Sequence, residues 1–292
     1  MAIKGIILAG GFGTRLYPIT KSISKHLLPI YDKPMIYYSI SVLMLAGIRD
    51  ILIICDKENL NSFKKLLGNG SNFGLKFKYK VQNKPDGIAS AIILGEEFIK
   101  NDKVCLILGD NIFYGQDFQR KLSMAISSDL GANVFAYKVA DPKNYGIINT
   151  DKRNNLTSII EKPANPKSNW AVTGLYFYNN TVIEKVKNLK KSKRGEYEIS
   201  DINNIYLKAG DLGVQYFGRG FAWLDTGTCD NLISASQFVE TIEKRQGLKI
   251  ACLEEIAYRN NWIKKKDIIK IFKGNISNTY YEYLMRVVKD EI

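Results

Sequence analysis

Short apolar runs alternate with longer runs of helical spacing along the chain as far as Asp110. Residues 4–9, 51–55 and 104–108 are mostly apolar over a strand's length, which predicts strands buried on both faces. Residues 34–46 are apolar over a helical length, start with proline and precede Gly47, which predicts a largely buried helix. The order strand, helix, strand predicts an open α/β sheet.

Further patterns extend this sheet. Residues 60–67 have the spacing of an amphipathic helix, residues 75–81 alternate apolar residues with lysines as a half-exposed strand does, and residues 88–99 predict a helix. The run 104–108 then stops at Gly109 and Asp110. Ligands of open α/β sheets bind outside the carboxyl ends of the strands, so the loops after the first and last of these strands are where we expect chemistry.

After about residue 140 the pattern changes to shorter strands, at 145–149, 156–161 and 172–178, and from residue 253 onward it predicts three short helices. The fold class predicted is α/β: a Rossmann-like, mostly parallel twisted sheet flanked by helices, with a mixed α+β lobe and C-terminal helices. We assign residues 1–140 to the α/β core, 141–228 to a lobe continuous with it, and 229–292 to the helical segment.

Composition narrows the class of protein. No apolar run of the 292 residues approaches the roughly 20 needed to span a bilayer, and the apolar stretch 5–9 is too short for a signal peptide. The four cysteines form no CxxC pair, which favours reduced thiols over a zinc site or disulfides. We therefore expect a cytoplasmic protein without a membrane partner.

Charge points to an anionic ligand without identifying it. The net charge is +13, but the lysines are spread along the chain, so phosphorylated small molecules explain it as well as nucleic acid does. His26 is the single histidine, which leaves carboxylates to hold any metal and favours a hard cation such as Mg²⁺.

A glycine-rich turn directly after the first strand is the strongest local signal. Gly10, Gly11 and Gly13 allow backbone N–H groups to approach an anion, and Arg15 can donate to phosphate oxygens from its fork. The spacing is neither GxGxxG nor GxxxxGK[ST], which argues against a Rossmann dehydrogenase and against a P-loop ATPase. An ordinary tight turn is the alternative.

Two aspartates and a lysine follow other predicted strands. Asp110 and Asp225 each end a short apolar run, so together they could hold one Mg²⁺, although either aspartate taken alone is more often a helix cap or a turn former. Lys162 precedes a proline at a strand end and could neutralise a phosphate or lie on the surface.

Several longer segments, in register over nearly the whole chain, resemble the sugar nucleotidylyltransferase family and, within it, the glucose-1-phosphate thymidylyltransferases. The segments are GGFGTRL at 10–16, SKHLLPIYDKPMIYY at 24–38, PDG at 85–87, LGDN at 108–111, EKP at 161–163, AVTGLYFY at 171–178, WLDTGT at 223–228, RQGLK at 245–249 and CLEEIAYR at 252–259.

The resemblance implies an enzyme that uses Mg²⁺ to join glucose 1-phosphate to the thymidylyl group of dTTP, giving dTDP-glucose and pyrophosphate, as a first step toward dTDP-sugars such as dTDP-rhamnose. It assigns catalysis to Arg15, Lys25, Lys162 and Asp110, and the metal to Asp110 and Asp225. For the nucleotide it implies Leu8, Gly10, Gly11, Gly13, Thr14, Arg15, Gln82, Gly87 and Asp110. For the sugar phosphate it implies Asn111, Tyr145, Gly146, Glu161, Lys162, Val172, Arg194 and Trp223.

The resemblance also implies a homotetramer and a second nucleotide-sugar site for feedback by a product such as dTDP-rhamnose. Gly115, Arg219, Glu255 and Arg259 match positions of that site. Two departures flank nucleotide-contacting segments: His26 stands where the family commonly has glutamine, and Asn83 with Lys84 replaces a more usual Pro-Ser. We expect His26 to pack rather than to catalyse, because an ionised sugar phosphate needs no general base.

Three alternatives remain open at the level of sequence. A uridylyl- or guanylyltransferase, or an enzyme for another sugar, would share the loop and the aspartates. A catalytically silent nucleotide-sugar sensor would be expected to lack one of the charged residues, all of which are present. A nucleic-acid-binding protein would be expected to show a clustered basic face or a known module, and neither is found.

Overall fold

A computed structural model describes residues 2–271 and 278–292, and the predicted C-terminal segment therefore includes residues 272–277 outside the described part. The strands are β1 Ile3–Ala9, β2 Pro29–Ile30, β3 Lys33–Pro34, β4 Asp50–Cys55, β5 Lys76–Val81, β6 Lys103–Leu108, β7 Asn111–Tyr114, β8 Ala132–Lys138, β9 Gly146–Thr150, β10 Leu156–Glu161, β11 Trp170–Tyr178, β12 Leu212–Tyr216 and β13 Ala222–Asp225. The helices are α1 Ile36–Leu45, α2 Leu60–Leu67, α3 Ser90–Leu94, α4 Glu96–Ile99, α5 Phe118–Ser127, α6 Val182–Lys187, α7 Ile199–Lys208, α8 Cys229–Gln246, α9 Leu253–Arg259, α10 Lys265–Ile271 and α11 Thr279–Val287.

Within the described part of the chain, nine strands form one central sheet. Its first half runs β5-β4-β1-β6 with parallel neighbours, the order expected of a Rossmann-like unit. Strand β11 then pairs antiparallel with β6, β8 and β9. Strand β10 pairs with β9, and β12 pairs with β8. The predicted fold class is confirmed, and the strands assigned to the second lobe extend the sheet of the core. The boundaries at residues 140 and 228 stay predictions.

Hydrophobic burial explains the central elements. Strands β1, β4 and β6 are lined by fully buried side chains such as Ile7, Ile53 and Ile107, which is why their sequences are continuous apolar runs. Helix α1 is buried over most of its surface, as its sequence predicts, because it lies between the sheet and the C-terminal helix α9.

The single helix predicted over residues 88–99 is wrong. The chain forms two shorter helices, α3 and α4, which meet at Gly95. A Cβ on Gly95 would lie 2.5 Å from Cδ1 of Ile6, so a glycine is needed where the helix approaches β1. This approach is a tertiary constraint that helical periodicity does not contain.

A short ribbon of β7 and β13, which sequence patterns did not predict, connects two loops at the edge of the sheet. The strands pair antiparallel with Asn111 opposite Asp225 and Phe113 opposite Trp223. The ribbon thereby brings the segment after β6 next to a segment that follows much later in the sequence, and Asp110 to the neighbourhood of Asp225.

The C-terminal helices belong to the main core. Leu253, Ala257 and Leu284 are fully buried together with residues of α1 and the sheet, and the described residues form three short helices after residue 252, as predicted. Among residues 2–271 and 278–292, no helix combines the length and hydrophobicity needed to cross a membrane. The cysteines are unpaired: Cys55, Cys105 and Cys252 are buried and Cys229, at the start of α8, is exposed.

Candidate active site

The glycine-rich loop is held open by its own backbone and by one threonine. Gly11 and Gly13 adopt positive φ angles of 99° and 58°, and the hydroxyl of Thr20 donates to the carbonyl of Gly13 over 2.8 Å. A short 3₁₀ turn, Thr14–Leu16, follows and is anchored by the fully buried Leu16. The loop therefore leaves its backbone, with the exposed Arg15, at the edge of the sheet.

Arg15 crosses from this loop to the end of β13. A Cβ on Gly227 would lie 2.7 Å from Nη2 of Arg15, so the guanidinium rests on the backbone there. Thr14 is exposed at the start of the turn, and Leu8 accepts the N–H of Gly109 through its carbonyl over 2.9 Å. The loop predicted as a phosphate cradle thus meets the loops after β6 and β13.

An ion pair between Lys25 and Asp110 lies at the centre of this edge. The Nζ of Lys25 donates to Oδ2 of Asp110, and the side chains are only 15% and 12% exposed. Burial by itself would raise the pKa of Asp110, but the Lys25 ammonium and the hydrogen bonds from Lys25 and Asn111 together hold it well below its usual range. Asp110 is consequently ionised.

His26 is a packed, neutral side chain. It is 1% exposed, its Nδ1 lies 3.1 Å from Oγ of Ser24, and its ring fills the space beside Gly109. Burial, followed by the neighbouring Lys25 charge, lowers the pKa of His26 to about 3. The structure therefore places it as the packing residue that we expected.

Asp225 lies close enough to Asp110 for the two carboxylates to influence each other. Burial, followed by the charge of Asp110, raises the pKa of Asp225 to about 6. Thr226 fixes the pair, because both its N–H (3.1 Å) and its hydroxyl (2.8 Å) donate to the carbonyl of Asp110. Two neighbouring carboxylates that repel one another are a donor set suited to a hard divalent cation. The residues present therefore fit the predicted Mg²⁺.

A first cavity of about 180 Å³ opens beside this pair. The predicted sugar-phosphate residues Asn111, Tyr145, Gly146, Glu161, Lys162, Val172 and Trp223 all line it, together with Arg15, Asp110 and Asp225. Seven residues that sequence analysis did not select as site residues also line it: Ile88, Leu108, Asn144, Gly174, Tyr176, Ile199 and Ser200. The structure brings nearly the whole predicted sugar set together.

Asn111 ties three walls of the first cavity to one another. Its Oδ1 accepts the indole N–H of Trp223 (2.7 Å) and the N–H of Gly174 (3.0 Å), and its Nδ2 donates to Oδ1 of Asp110 (3.0 Å). Gly174 lies in a bulge of β11 between Val172 and Tyr176. The position of the Asp110 carboxylate is thus linked directly to the sugar-side walls.

Glu161 is oriented by a serine of helix α7. The hydroxyl of Ser200 donates to Oε2 of Glu161 over 2.5 Å, and both atoms lie above the Cα of Gly146, where a Cβ would be 2.8 Å from Oγ of Ser200. Burial, followed by Glu198, raises the pKa of Glu161, while the Ser200 hydrogen bond lowers it. Motif analysis does not find Ser200, because its partner lies on a distant segment of the sequence.

Lys162 and Arg194 take different places around the first cavity. Lys162 lines it and has a φ of 41°, a left-handed backbone that is fixed by its N–H donating to the carbonyl of Tyr145 over 3.0 Å. Arg194 does not line the cavity; it pairs with Glu196 (3.0 Å) and Glu198 (3.5 Å), and lies 3.9 Å from Glu161.

A second cavity, of about 380 Å³, lies on the other side of the ion pair. Gly11, Lys25, Gln82 and Pro85 line it, whereas Gly10, Gly13 and Gly87 do not. Gly10 instead packs against the side chain of Gln82. A Cβ on Gly10 would lie 2.2 Å from Oε1 of Gln82, so a larger residue would displace this cavity-lining side chain. Since Lys25 lines the second cavity and Asp110 the first, their ion pair marks the junction of the two.

Of the predicted regulatory residues, Gly115 directly follows β7, Arg219 lies between β12 and β13, and Glu255 and Arg259 lie on α9. Glu255 and Arg259 pair over 2.8 Å in a third cavity of about 640 Å³, which Gly115 also lines. Gly115 and Arg219 line an adjoining fourth cavity of about 800 Å³. Gly115, Glu255 and Arg259 therefore share the third cavity, and Arg219 lines the adjoining fourth cavity.

Comparison with known proteins agrees with this geometry. The profile described as nucleotidyl transferase matches residues 4–242, most of the chain. The chain belongs to the nucleotidyl transferase family. Glucose-1-phosphate thymidylyltransferase of Neisseria meningitidis is 58% identical over 98% of this chain and 100% of its own, and that of Mycobacterium tuberculosis is 49% identical over 98% and 99%. The resemblance inferred from the motifs is confirmed.

Solved structures of other family members share the architecture. A Bacillus anthracis protein named for the same activity and solved with sucrose is 46% identical, with a TM-score of 0.76 over 81% of this chain and 95% of that one. A UDP-glucose pyrophosphorylase solved with UDP-glucose is 27% identical, with a TM-score of 0.73 over 83% of this chain and all of that one. The nucleotidyl transferase fold is thus shared between relatives named for different bases.

Proposed function

We propose that this nucleotidyl transferase joins glucose 1-phosphate to the thymidylyl group of dTTP, releasing pyrophosphate and dTDP-glucose. The observation that carries the proposal is the pair of adjoining cavities with the Lys25–Asp110 ion pair at their junction. Such a layout holds two ligands on either side of one charged point, as a transfer between two phosphorylated substrates requires. The names of the relatives at 49–58% identity support these substrates.

The residues around the junction supply what the reaction needs. A sugar phosphate is already an ionised nucleophile, so the protein has to align it with the α-phosphorus of the nucleotide and stabilise the charge that develops. Arg15 and Lys162 line the first cavity and Lys25 the second, so with both substrates bound there would be cations on both sides of the transferred group. A direct attack with pyrophosphate as leaving group needs no covalent enzyme intermediate.

We propose that Asp110 and Asp225 hold Mg²⁺, which would offset negative charge on the nucleotide phosphates when bound. Their mutual repulsion and the acceptor-only chemistry of two ionised carboxylates support this assignment. Glu161, oriented by Ser200, is suited to accept hydrogen bonds from sugar hydroxyls in the first cavity.

The finer parts of the assignment rest on the resemblance. We propose a cytoplasmic homotetramer whose third and fourth cavities, lined by Gly115, Arg219, Glu255 and Arg259, bind a feedback nucleotide sugar such as dTDP-rhamnose. A uridylyltransferase is the second candidate, because a relative named UDP-glucose pyrophosphorylase has the same fold at 27% identity.

Pyrophosphate release from the purified chain, with Mg²⁺, glucose 1-phosphate and each of dTTP, UTP, CTP, ATP and GTP in turn, tests the proposal. We expect fast release with dTTP, and a loss of about 100-fold or more in kcat/KM in Asp110→Asn and Asp225→Asn. The exposed Asp129 provides a matched control, since Asp129→Asn removes the same charge outside both cavities. Silence with every nucleotide, despite binding, would replace the proposal with a nucleotide-sugar sensor.

A further inference from the structure

The second cavity contains a nearly buried amide whose acceptor has no partner inside the described protein. Gln82 directly follows β5 and is only 8% exposed. Its backbone N–H donates to the carbonyl of Cys55 over 2.8 Å. Its Nε2 donates to Oγ of Ser90 over 3.2 Å, whereas no donor among residues 2–271 and 278–292 hydrogen-bonds its Oε1. Because Gln82 lines the second cavity, this acceptor is free to accept a hydrogen bond from a ligand bound there.

The orientation of this amide is forced by its neighbours. Oγ of Ser90 lies 2.6 Å from the carbonyl of Gly87, and a carbonyl can only accept, so the hydroxyl proton of Ser90 is directed to it. The remaining capacity of Ser90 toward Gln82 is that of an acceptor. Gln82 must therefore turn its NH₂ group to Ser90, which leaves Oε1 on the side of Gly10.

The carbonyl at the start of this relay is itself fixed. Gly87 has a φ of 96°, and a Cβ there would lie 2.5 Å from the carbonyl of Tyr197. Tyr197 donates its N–H to Asp86 (2.8 Å) and accepts from Ala89 (3.3 Å), so the turn is clamped on both sides of Gly87. The relay begins at a clamped backbone carbonyl and ends at the amide of Gln82.

We infer that Ser90 is a positioning residue for base selection: the relay from Gly87 through Ser90 fixes Gln82 as a hydrogen-bond acceptor for a pyrimidine that carries an N–H at ring position 3. Thymine and uracil carry that proton, whereas cytosine presents a lone pair there. If the Gln82 amide were flipped, its NH₂ group would face the base and could donate to the lone pair of cytosine. The hydroxyl of Ser90 prevents that flip. The inference rests on the proposed function for the nucleotide and adds cytosine as the base that is rejected.

Ser90→Ala tests the relay, with Ser90→Thr as the variant that keeps the hydroxyl. We expect the ratio of kcat/KM for dTTP over dCTP to fall about tenfold in Ser90→Ala and to stay within about threefold of wild type in Ser90→Thr. Ser236→Ala is the matched control, because Ser236 also donates to a backbone carbonyl (Leu232, 3.0 Å) but lies on α8 and lines neither cavity. Calorimetric binding of dTMP and dCMP to the same variants should show the same change in ratio.

Two results would overturn the inference. If kcat/KM for both nucleotides fell by the same factor in Ser90→Ala, the serine would only support the fold, and if wild type used dCTP as well as dTTP, no selection would exist. If wild type released pyrophosphate from no nucleotide, the proposed function would fail separately. The ratio of dTMP to dCMP affinity in wild type and Ser90→Ala would still decide the role of Ser90.

Discussion

At the scale of single residues, the geometry of the candidate site depends on the lack of a side chain at Gly146. Gly146 has no side chain at the point where Ser200 donates to Glu161, and a methyl group there would lie 2.8 Å from Oγ of Ser200 and 3.2 Å from Oε2 of Glu161. Contacts this short must be relieved by moving the side chains, so the carboxylate that faces the first cavity would shift.

Gly146→Ala should therefore raise the KM for glucose 1-phosphate about tenfold while leaving the KM for dTTP within about twofold, because a displaced group loses contacts to one ligand only. Initial rates with each substrate varied in turn measure this. Gly218→Ala is the control, since a Cβ there meets nothing within 4 Å. Equal increases in both KM values would show that the substitution disturbs the fold and not the sugar cavity.

His26 gives a second residue-scale prediction, on stability against pH. Its folded pKa of about 3 lies below the ordinary value of 6.5, because burial and then Lys25 disfavour the charged form. The unfolded chain therefore binds the proton first as pH falls, and stability is lost through the window from 6.5 toward 3. Urea unfolding in EDTA should show wild type losing about 1.5 kcal/mol more than His26→Gln between about pH 6.5 and pH 5. Parallel pH profiles for the two proteins would contradict this.

At the scale of elements, three strands that do not follow one another in sequence are joined by one amide. Asn111 starts β7, accepts from Trp223 on β13 and from Gly174 in the bulge of β11, and donates to Asp110. Its 3% exposure means that these donors stay out of reach of water when the amide is removed. The arrangement of strands around the first cavity thus depends on a side chain, in addition to the sheet ladder.

Asn111→Ala should lower the free energy of unfolding by about 2–4 kcal/mol, because it leaves a buried indole N–H and a buried backbone N–H without an acceptor. Urea unfolding followed by tryptophan fluorescence measures the change. Asn169→Ala is the matched control: Asn169 donates to Val139 over 2.9 Å at an exposed position, and its loss should cost less than about 1 kcal/mol. Similar losses for both variants would mean that Asn111 is not the joint between the strands.

The elements show what sequence can and cannot predict. Strands β1, β4 and β6 were predicted within one residue, because buried strands leave continuous apolar runs that need no partner to be recognised. Strand β10, in which only Ile159 is buried, was predicted at its observed bounds. The break at Gly95 and the β7–β13 ribbon depend on contacts with distant segments, and no local period encodes them. The same holds for the site: motif residues such as Lys25 and Asp110 were found, whereas Ser90 and Ser200 are ordinary serines until their partners are seen.

At the scale of the whole molecule, a buried cluster of charges links segments from the two ends of the chain. Lys33 donates to Glu243 over 2.8 Å and pairs with Asp32, while Lys249 pairs with Asp32 and lies 3.3 Å from Glu243. The N–H of Ile250 also donates to Glu243, over 2.8 Å. The cluster fastens the segment after the glycine-rich loop to the end of α8, which lies near the other end of the sequence.

Lys33→Met should destabilise the protein by about 3 kcal/mol or more, because two carboxylates would remain buried with one cation fewer. Lys244→Met offers the comparison: Lys244 pairs with Glu240 on the exposed face of α8, where solvent screens the ion pair and its loss should change stability little. Thermal and urea unfolding of both variants measure the difference. Equal, small losses would show that the buried cluster does not hold these segments together.

The exposed thiol of Cys229 offers a built-in optical probe. The other three cysteines are buried, so a bulky maleimide dye should attach at this one position without any engineered substitution. The dye would sit two residues from Gly227, against which the Arg15 guanidinium rests. We expect its fluorescence to change when phosphorylated ligands bind or leave. Stopped-flow measurements on the labelled protein could then follow ligand binding and release.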